Sequence, residues 1–530
     1  MYDVFISYRR KTGSMFASVL EKFLEEEQGY EDVFFDKKSL REGPFDQHID
    51  EAIDTSIYFL LVLTKGDLDN CLLHPENDWI LHEVSRAFER GKIIIPLLFS
   101  DDFVFPDAPK GSVLDKLKYQ NGIAIKSGEG IEVLEEKLPG FMKEHPAKAL
   151  AKEYAKGILE KDFLAWQIAS LKAIYGADFP LLQELGQESP AFCLAASPEI
   201  IFPFEGLSSN GAILPLEKTL PFEESPFYAD FRKINGPNIH YPDLYGYTNQ
   251  GFVYDASGKV KGLKVRPRTY KETVYTCHIL QYEMYRLYQE YGKDKILSLD
   301  QCPLRKKIHQ GYSMKDVVIN GANRSALHDV IVAVMVPNPN SGEYEIAGAN
   351  RSFDVATYPG YYDFIPAGGF ELYELENRQS WDTVQKNFSV VSALYREFSE
   401  ELFDDESFGK ATGDDDFNRL FKCPEVRSLI GLIRERKAQF VFLGVVFDLL
   451  TLRQTLCFAL RVDDPEYYYQ NFHKNSESDT LNFDPLKDFE KKFSGNLKIV
   501  PEAIGTWHLL KETPLYQEVA KNQFKILGKH

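Results

Sequence analysis

Trp79 and Glu83 stand four residues apart in the chain, so on a helix they share one face. This spacing sets a carboxylate beside a large aromatic surface. Far upstream, a short apolar run at 4–7 leads, after one tyrosine, into Arg9 and Arg10. A carboxylate next to an aromatic wall, close to hydroxyl groups and cations, suits the cleavage of a glycosidic bond.

A second group of reactive side chains lies in the C-terminal half of the chain. Glu397, Glu400 and Glu401 occupy positions i, i+3 and i+4 of a helical segment, so their carboxylates project from one face. Hard oxygen ligands grouped in this way suit a Mg²⁺ ion that bridges a pyrophosphate. Arg396 adds a fork of donors that can hold a carboxylate or a phosphate. Such a group would hydrolyse a nucleoside diphosphate linked to another moiety, whereas a solvated acidic helix is the simpler alternative.

The elements that would position the first group alternate between strands and helices as far as Pro96. Apolar runs and amphipathic segments follow one another at 4–7, 16–27, 33–35, 45–54 and 57–63. This alternation predicts an α/β fold with a parallel sheet and helices on both faces. Functional loops in such folds follow the carboxyl ends of the strands, where Arg9, Arg10 and Asp36 fall.

Length and charge restrict the class of protein. A chain of 530 residues is expected to contain two or three domains. The 61 basic and 80 acidic residues give a net charge of −19, which repels phosphate backbones and anionic lipid headgroups. We therefore expect neither nucleic acid nor a membrane as a main partner, although a local basic pocket can still bind a nucleotide.

The cysteine pattern and the N-terminus indicate a compartment. None of the six cysteines forms a C-x-x-C pair or a zinc-ligand spacing with histidine, which favours buried thiols in a reducing compartment. The first residues do not resemble a signal peptide, and no apolar run reaches the about 20 residues that span a bilayer. The longest run, 440–450, includes Asp448 and is predicted to be a buried strand. These features predict a soluble, cytoplasmic protein.

Composition and periodicity change along the rest of the chain. Residues 146–315 are predicted to be a helical and irregular connecting region, in which the Gly-, Pro-, Tyr- and Asn-rich stretch 210–260 shows little periodicity. From 316 to 530 the pattern becomes strand-rich, with a buried strand at 329–336 and a helix at 392–403. We therefore predict a second, α+β domain over 316–530.

The first 145 residues resemble a Toll/interleukin-1 receptor (TIR) domain. Four segments match in order: 3–10 as the first strand and its loop, 33–45 as the second strand and a mobile loop, 59–66 as the third strand, and 79–96 as a helix and the fourth strand. The similarity is closest to the NAD-cleaving members of the family. It implies a flavodoxin-like parallel sheet over residues 1–145.

This resemblance also implies roles for individual residues. The glutamate of a Trp-x-x-x-Glu helix is essential in the NAD-cleaving members, which implies that Glu83 is catalytic. The substrate-binding residues implied are Arg9, Arg10, Phe34, Asp36 and Trp79. In the family, the loop that begins at Asp36 gates the pocket and TIR–TIR packing completes it. The reaction needs no cofactor.

The segments 364–369 and 396–401 resemble a Nudix box. Gly368 and Glu374 fit the first interval of the family pattern, and residues 351–352 and 358–360 resemble the strand and loop before it. The interval from Glu374 to Arg396 is longer than in the family, and Phe403 replaces the closing glycine. The nucleotide-binding residues implied are Arg351, Gly368, Gly369 and Arg396. If the site is active, Glu397, Glu400 and Glu401 would bind Mg²⁺; otherwise the domain would be a nucleotide sensor.

Taken together, these patterns predict an NAD⁺ hydrolase that releases nicotinamide and forms ADP-ribose or cyclic ADP-ribose. A nucleotide ligand at the Nudix-like domain would activate it by promoting self-association through the TIR domains. The combination resembles bacterial antiphage effectors that kill the host cell by NAD⁺ depletion, an analogy at the level of the fold.

Two alternatives remain open. The TIR domain could be a signalling scaffold that assembles and cleaves nothing. The Nudix-like domain could instead be the main enzyme, hydrolysing ADP-ribose-type nucleotides while the TIR domain serves as an assembly module.

Overall fold

The computed structural model describes most of the chain. The residues outside its description are 1, 28–29, 31, 36–44, 74, 76–77, 101–102, 127–128, 130–131, 143–145, 216–225, 235–244, 353–354, 356, 373–383, 386, 404–419, 466, 468–471, 473–477, 522–523 and 525–530. The chain divides into two compact units. Unit 1 comprises Met1–Glu153 and Lys233–Pro237, and unit 2 comprises Tyr154–Arg232 and Asn238–His530.

Unit 1 is built on a five-stranded sheet with the order β2-β1-β3-β4-β5, in which all paired strands are parallel. The strands are β1 (Val4–Tyr8), β2 (Val33–Phe34), β3 (Tyr58–Leu63), β4 (Ile93–Leu98) and β5 (Ile123–Ala124). The helices are α1 (Ser14–Lys22), which continues as a π-helical turn (Phe23–Glu27), α2 (Phe45–Thr55), α3 (Asp69–Leu73), α4 (Trp79–Glu89), α5 (Val113–Leu117) and α6 (Glu132–Lys137). A further helix, α7 (Pro146–Gly157), contains the boundary between the two units. The predicted parallel α/β sheet is confirmed.

Helices on both faces bury the sheet of unit 1, which explains its nearly continuous apolar strands. Successive side chains of a strand point to opposite faces. In β1, Val4 and Ile6 join the core beneath α1, whereas Phe5 joins the core that includes residues of α2 and α4. Ser7 follows Phe5 by two residues, so it lies on the α4 face of the sheet.

Unit 2 contains a mixed eight-stranded sheet whose main path is β14-β13-β12-β17-β16-β8. The strands of the whole unit, in chain order, are β6 (Leu182–Glu184), β7 (Gln187–Ser189), β8 (Ala191–Ala195), β9 (Ala212–Ile213), β10 (Tyr245–Tyr254), β11 (Val260–Thr269), β12 (His328–Pro337), β13 (Tyr344–Arg351), β14 (Tyr362–Phe364), β15 (Ala367–Gly369), β16 (Ala438–Asp448), β17 (Gln454–Val462) and β18 (Ser478–Pro485). Of these, β6 and β7 form a two-stranded sheet, and β9, β10 and β11 form a three-stranded one. The predicted strands at 329–336 and 440–450 are confirmed as β12 and β16, since apolar runs buried on both faces are typical of inner strands.

Unit 2 also contains α-helices. They are α8 (Lys161–Tyr175), α9 (Glu205–Ser209), α10 (Pro226–Ile234), α11 (Tyr270–Thr273), α12 (Ile279–Tyr291), α13 (Pro303–His309), α14 (Met314–Val318), α15 (Val390–Phe403), α16 (Pro424–Arg434), α17 (Phe489–Phe493), α18 (Pro501–Lys511) and α19 (Pro514–Lys521). A π-helical turn, Val274–His278, joins α11 to α12. Among the described residues, no helix combines the length and apolar character that a membrane crossing requires.

The stretch 210–260, which showed little periodicity, contributes β9, α10 and β10. β10 forms an antiparallel pair with β11 that is interrupted near Gly251, where φ is +103°. A β-bulge of this kind breaks the alternation of a strand. Because the alternation is broken, the sequence pattern does not indicate this strand.

Candidate active site

The candidate site of unit 1 lies at the N-terminal half of α4. Asp78 precedes this helix as its N-cap, and its carboxylate accepts a hydrogen bond of 3.1 Å from the Leu81 backbone N–H. An N-cap aspartate satisfies a helix N–H that has no carbonyl partner and complements the positive end of the helix dipole. Ile80, Val84 and Ala87 form the buried stripe of α4. Glu83 lies at the edge of this stripe and is half-buried.

A hydrogen bond from the first strand positions Glu83. The Ser7 hydroxyl donates a hydrogen bond of 2.6 Å to Oε2 of Glu83, and Ser7 is only 1% exposed. A hydrogen bond to a carboxylate is stronger than one between neutral groups, and it fixes the direction of the acceptor. The contact therefore positions a partly accessible carboxylate at the carboxyl end of β1.

Arg9 ties this end of β1 to the start of α4. Its Nη2 lies 2.6 Å from Oδ2 of Asp78, and its Nε donates a hydrogen bond of 2.6 Å to the carbonyl of Asp67. The Asp78 side chain is 4% exposed and that of Arg9 is 21% exposed. Because both groups are largely removed from water, the pair acts as a rigid clamp rather than as a loose surface ion pair.

The loop after β3 is held by the Asp67 carboxylate. Oδ2 of Asp67 accepts hydrogen bonds from the backbone N–H (2.6 Å) and the hydroxyl (2.8 Å) of Thr64. Oδ1 accepts one of 2.6 Å from the Thr12 hydroxyl in the loop after β1. Gly66, which lies between Thr64 and Asp67, adopts the left-handed conformation of this turn, with φ of +82°. The loops that follow β1 and β3 are thus joined at one edge of the sheet.

Cys71 completes the environment of Asp78. Its thiol donates to Oδ1 of Asp78 over 3.2 Å. Burial, together with the hydrogen bond to Asp78, raises the pKa of the Cys71 thiol to about 12. The thiol therefore stays protonated at neutral pH and acts as a donor, because only a thiolate is a good nucleophile.

Ion pairs fix α4 against α2. Arg86 makes a two-pronged contact with Asp54, over 2.8 and 2.9 Å, and reaches Asp50 at 3.0 Å. The Arg86 hydrogen bond lowers the pKa of Asp54. One turn earlier, His82 lies 3.0 Å from Asp50. These contacts set the height and rotation of the helix that carries Glu83.

The structure brings together three of the residues predicted for this site. Glu83 and Trp79 lie on the first turns of α4, and Arg9 reaches the cap of the same helix. Trp79 is 45% exposed, and its ring meets the edge of the His82 ring with centroids 5.6 Å apart. An exposed tryptophan at this position is available to a ligand or to another chain.

The other predicted substrate-binding residues are placed differently. Phe34 is 1% exposed and stacks on Phe5 with ring centroids 5.0 Å apart, so it contributes to the core. Arg10 is exposed at the end of β1. Asp36 and most of the predicted gating loop lie outside the described residues. Substrate binding by all three stays a prediction.

Three residues of this arrangement were not singled out from the sequence. Ser7 could have been recognised as the one small hydroxyl residue of the buried strand Val4–Tyr8, and Asp78 as a capping residue directly before a helical pattern. Asp67 has a weaker signal, because it follows a glycine in an ordinary turn sequence. Its role depends on contacts with distant residues.

A second site is formed in unit 2 around Arg396 on α15. Its guanidinium contacts Glu371 at 2.7 Å, Glu400 at 3.4 Å, Glu397 and the carbonyl of Gly369. Arg396 is 5% exposed. The predicted nucleotide-binding and metal-binding residues of this helix therefore do come together with the glycine segment at β15.

Gly368 shows how closely the two segments approach. A Cβ atom at this position would overlap Oε2 of Glu397, so a larger residue would require the carboxylate to move. The backbone N–H of Ala367 donates a hydrogen bond of 2.8 Å to Oε2 of Glu401. Glu374, which the predicted box includes, lies outside the described residues, and the Nudix box stays a prediction.

The carboxylates of α15 are not arranged as a shared metal site. Glu397 and Glu400 face Arg396, and Glu401 takes a backbone N–H. Burial raises the pKa of Glu397 well above its usual value, against the effect of Arg396. Within the described ranges, no set of three or more His, Cys, Asp or Glu side chains could hold a metal ion. The Mg²⁺ site stays a prediction.

Similarity to known proteins supports the organisation of unit 1. Residues 4–126 match the family model described as TIR domain. NAD(+) hydrolase tir-1 of Caenorhabditis elegans is 45% identical over 106 residues, which are 20% of this chain and 10% of that protein. NAD(+) hydrolase SARM1 of Danio rerio is 39% identical over 106 residues, which are 20% of this chain and 14% of that protein. The chain thus spans a small part of the length of these relatives.

A solved structure shows a likeness at lower identity. The TIR domain of the Toll-related Receptor TRR-2 from Hydra magnipapillata aligns with 18% identity and a TM-score of 0.19. The alignment covers 25% of this chain and 91% of that chain.

Proposed function

We propose that this chain, whose N-terminal unit is a TIR domain, cleaves the bond between nicotinamide and ribose in NAD⁺. One observation carries the proposal: the carboxylate of Glu83 is held by the buried Ser7 hydroxyl and remains partly accessible. The similarity of this segment of chain to proteins named NAD(+) hydrolase supports the choice of substrate.

The chemistry needs little from the protein beyond a positioned negative charge. The bond between ribose C1′ and the pyridinium nitrogen breaks, and its electron pair neutralises the departing nicotinamide. No general acid is required, because the leaving group already carries positive charge. The carboxylate of Glu83 stabilises the cation that develops on the ribose. Water then adds to C1′ and loses a proton, which gives ADP-ribose; attack by the adenine ring gives the cyclic product.

The proposal assigns distinct roles to the surrounding residues. Trp79 offers an exposed ring for stacking, and Arg10 an exposed cation for the phosphates. Arg9 acts through Asp78 and positions α4. Phe34 supports the floor of the site from the core, and substrate binding by Asp36 is part of the proposal.

Activation would come from assembly. A head-to-tail contact between TIR domains that does not close yields a filament, and a neighbouring copy can complete the site near the exposed Trp79. A nucleotide bound by unit 2 would bias a two-state equilibrium toward the assembled form. By analogy of fold alone, the protein would serve in the cytoplasm as an antiphage effector that kills the cell by NAD⁺ depletion.

A matched pair of substitutions on α4 tests the catalytic proposal. Glu83→Ala should abolish nicotinamide release from NAD⁺, because no other group replaces the carboxylate beneath the ribose. Glu89→Ala removes an exposed carboxylate from the end of the same helix and should leave the rate unchanged. Assembly of both variants is followed by light scattering. Turnover that persists in the Glu83 variant would remove this residue from the mechanism, and an inactive wild-type chain that still assembles would favour a scaffold.

A further inference from the structure

The sheet of unit 2 opens into a wedge. β12 and β13 pair through Met335 and Ile346, but toward the start of β12 the two strands take different partners. β14 pairs with β13 and β15 pairs with β12, so these short strands fill the gap. This wedge brings the start of β12, the end of β13 and the start of β14 to one end of the sheet. The start of β17 also lies there, because β17 runs parallel to β12.

Charged side chains gather at this end. We call Asp329, Arg351, Asp363, Arg453 and His278 the wedge cluster. Arg453 forms an ion pair with Asp329 and donates to Nε2 of His278 over 2.9 Å. Arg351 pairs with Asp363 over 2.9 Å. The two ion pairs interact: the charges of both arginines act on Asp329, and Asp329 in turn acts on Asp363.

The wedge cluster is reached by solvent, unlike a purely structural pair in the same unit. Side-chain exposure is 11% for Arg453, 17% for Asp329 and 27% for Arg351. Arg305 and Glu283 form an ion pair of 3.5 Å with both side chains 0% exposed. The Nη atoms of Arg305 also donate to backbone carbonyls, including that of Leu449 at 3.0 Å. A sealed pair of this kind holds the fold together, whereas Arg453, Asp329 and Arg351 each keep part of their side chain exposed to solvent.

Several buried polar atoms of the wedge cluster lack hydrogen-bond partners among the described residues. Arginine only donates, so Nε2 of His278 accepts from Arg453 and the ring proton must lie on Nδ1. Nδ1 has no acceptor, and His278 is 2% exposed. Nε of Arg453 and the Oδ1 atoms of Asp329 and Asp363 are also buried without a hydrogen-bond partner. Buried polar atoms normally have hydrogen-bond partners. These donors and acceptors can therefore bind a ligand or ordered water.

The surroundings add a third arginine and an irregular helix. Asp329 is in register with Gly369, whose carbonyl accepts from Arg396. His278 ends the π-helical turn Val274–His278, and π-helical turns are frequent at functional sites. The candidate site of α15 and the wedge cluster therefore adjoin each other.

We propose that the wedge cluster binds a nucleotide, with Arg351 and Arg453 holding its phosphates and Asp329 and Asp363 accepting from its sugar hydroxyl or base amino groups. Fixed arginine forks suit phosphate oxygens, and only a ligand with both phosphates and N–H or O–H donors uses the acceptors as well. This inference deepens the proposed sensing of a nucleotide by unit 2 and rests on it. It adds Asp329, His278 and Arg453, which lie outside the segments that resemble a Nudix box.

Calorimetric titration of the full chain tests the site. ADP-ribose, AMP and inorganic pyrophosphate serve as probes at constant ionic strength. Arg453→Gln and Arg351→Gln should each weaken binding of ADP-ribose about tenfold or more, since each removes a charged hydrogen-bond donor. Arg427→Gln, on the exposed face of α16, is the matched control and should bind as the wild type does. The half-exposed Arg351 keeps the test valid if the deeper Arg453 variant does not fold.

The outcomes separate the possible failures. Loss of ADP-ribose binding in the two cluster variants, with binding retained in Arg427→Gln, supports the site. Binding that ignores both variants shows that the nucleotide is held elsewhere and overturns the wedge cluster alone. Absence of binding by the folded wild-type chain overturns nucleotide sensing itself. Pyrophosphate that binds as tightly as ADP-ribose would show that the site takes an inorganic anion, which contradicts the nucleotide assignment.

Discussion

The hydroxyl of Ser7 on β1 lies 2.6 Å from the carboxylate of Glu83 on α4. The two residues are 76 positions apart in the chain, and the parallel sheet brings them together. Phe5, two residues before Ser7, packs in the apolar core on the same face. Phe5 of this strand therefore packs in the core to which α4 also contributes, and Ser7 donates a hydrogen bond to the candidate catalytic acid.

Ser7→Ala should lower kcat for nicotinamide release about tenfold or more, with little change in KM. The lost hydrogen bond to a charged group corresponds to about 1.5–3 kcal/mol, and its main effect would be to free the carboxylate from its position beneath the ribose. Steady-state kinetics of the full chain measure the split. Ser7→Thr, which retains a hydroxyl, should recover part of the rate.

The control for this prediction is Ser85→Ala. The Ser85 hydroxyl donates within α4 itself, to the carbonyl of Leu81, so its loss should not move Glu83. Equal rate losses in the Ser7 and Ser85 variants would mean that the Ser7 effect reflects general damage to the unit rather than positioning.

Asp78→Ala should reduce the free energy of unfolding of unit 1 by about 3 kcal/mol. It removes the N-cap of α4 and leaves the largely buried guanidinium of Arg9 without its acid. Chemical denaturation of the full chain, followed by fluorescence, gives the change. Asp107→Ala alters an exposed aspartate of the same unit and should change stability by less than about 0.5 kcal/mol. Equal stability of the two variants would contradict the clamp.

Two glycine substitutions in unit 2 should act in opposite directions. Gly368→Ala should destabilise by about 1–3 kcal/mol, because the new Cβ would collide with Glu397. Gly431→Ala lies within α16 with no atom inside 4 Å of the added Cβ, and should stabilise by about 0.5–1 kcal/mol. Thermal melting compares the two. A neutral Gly368 variant would show that β15 and α15 do not approach as described.

Glu184→Gln should destabilise unit 2 at neutral pH by about 1–2 kcal/mol, after allowance for solvent screening. Burial opposes ionisation of Glu184, but hydrogen bonds from His508 and Lys511 outweigh it and lower its pKa to about 2. A lowered pKa of an acid stabilises the folded state above its unfolded value of 4.5, and this contribution is lost as pH falls toward 2. The wild type and the variant should therefore converge in melting temperature between pH 4.5 and 2.

The convergence has a matched control in an exposed acid. Asp294→Asn removes a carboxylate from the surface of unit 2 and should track the wild type across this pH range. A Glu184 variant whose deficit is constant with pH would show that the charge of the carboxylate is not what stabilises the contact.

Mg²⁺ should neither raise the melting temperature of the full chain nor support AMP release from ADP-ribose. Arg396 already forms ion pairs with Glu397 and Glu400, so a metal would have to displace an internal cation. Calorimetry with Mg²⁺ and chromatography of the nucleotide products measure both effects. Metal-dependent AMP release that disappears in Glu400→Gln and Glu401→Gln would establish the predicted Nudix-type site instead.

Much of unit 2 was hard to predict for physical reasons. The bulge near Gly251 interrupts the alternation of β10, and the ion pair of Arg396 with Glu371 spans an insertion that ordinary box spacing does not contain. Asp329 and Arg453 lie more than a hundred positions apart, and no local pattern relates them. Their contact depends on β12 and β17 being neighbours in the sheet.

The sequence by itself determined the parallel sheet of unit 1, its TIR character and the joint placement of Trp79 and Glu83 on one helix. Those features follow from local periodicity and from motifs in a fixed order. Only the tertiary structure decided that Ser7 holds Glu83, that Arg9 clamps Asp78, and that Phe34 belongs to the core. Burial and hydrogen-bond direction arise where distant segments meet, so the spacing of residues along the chain does not contain them.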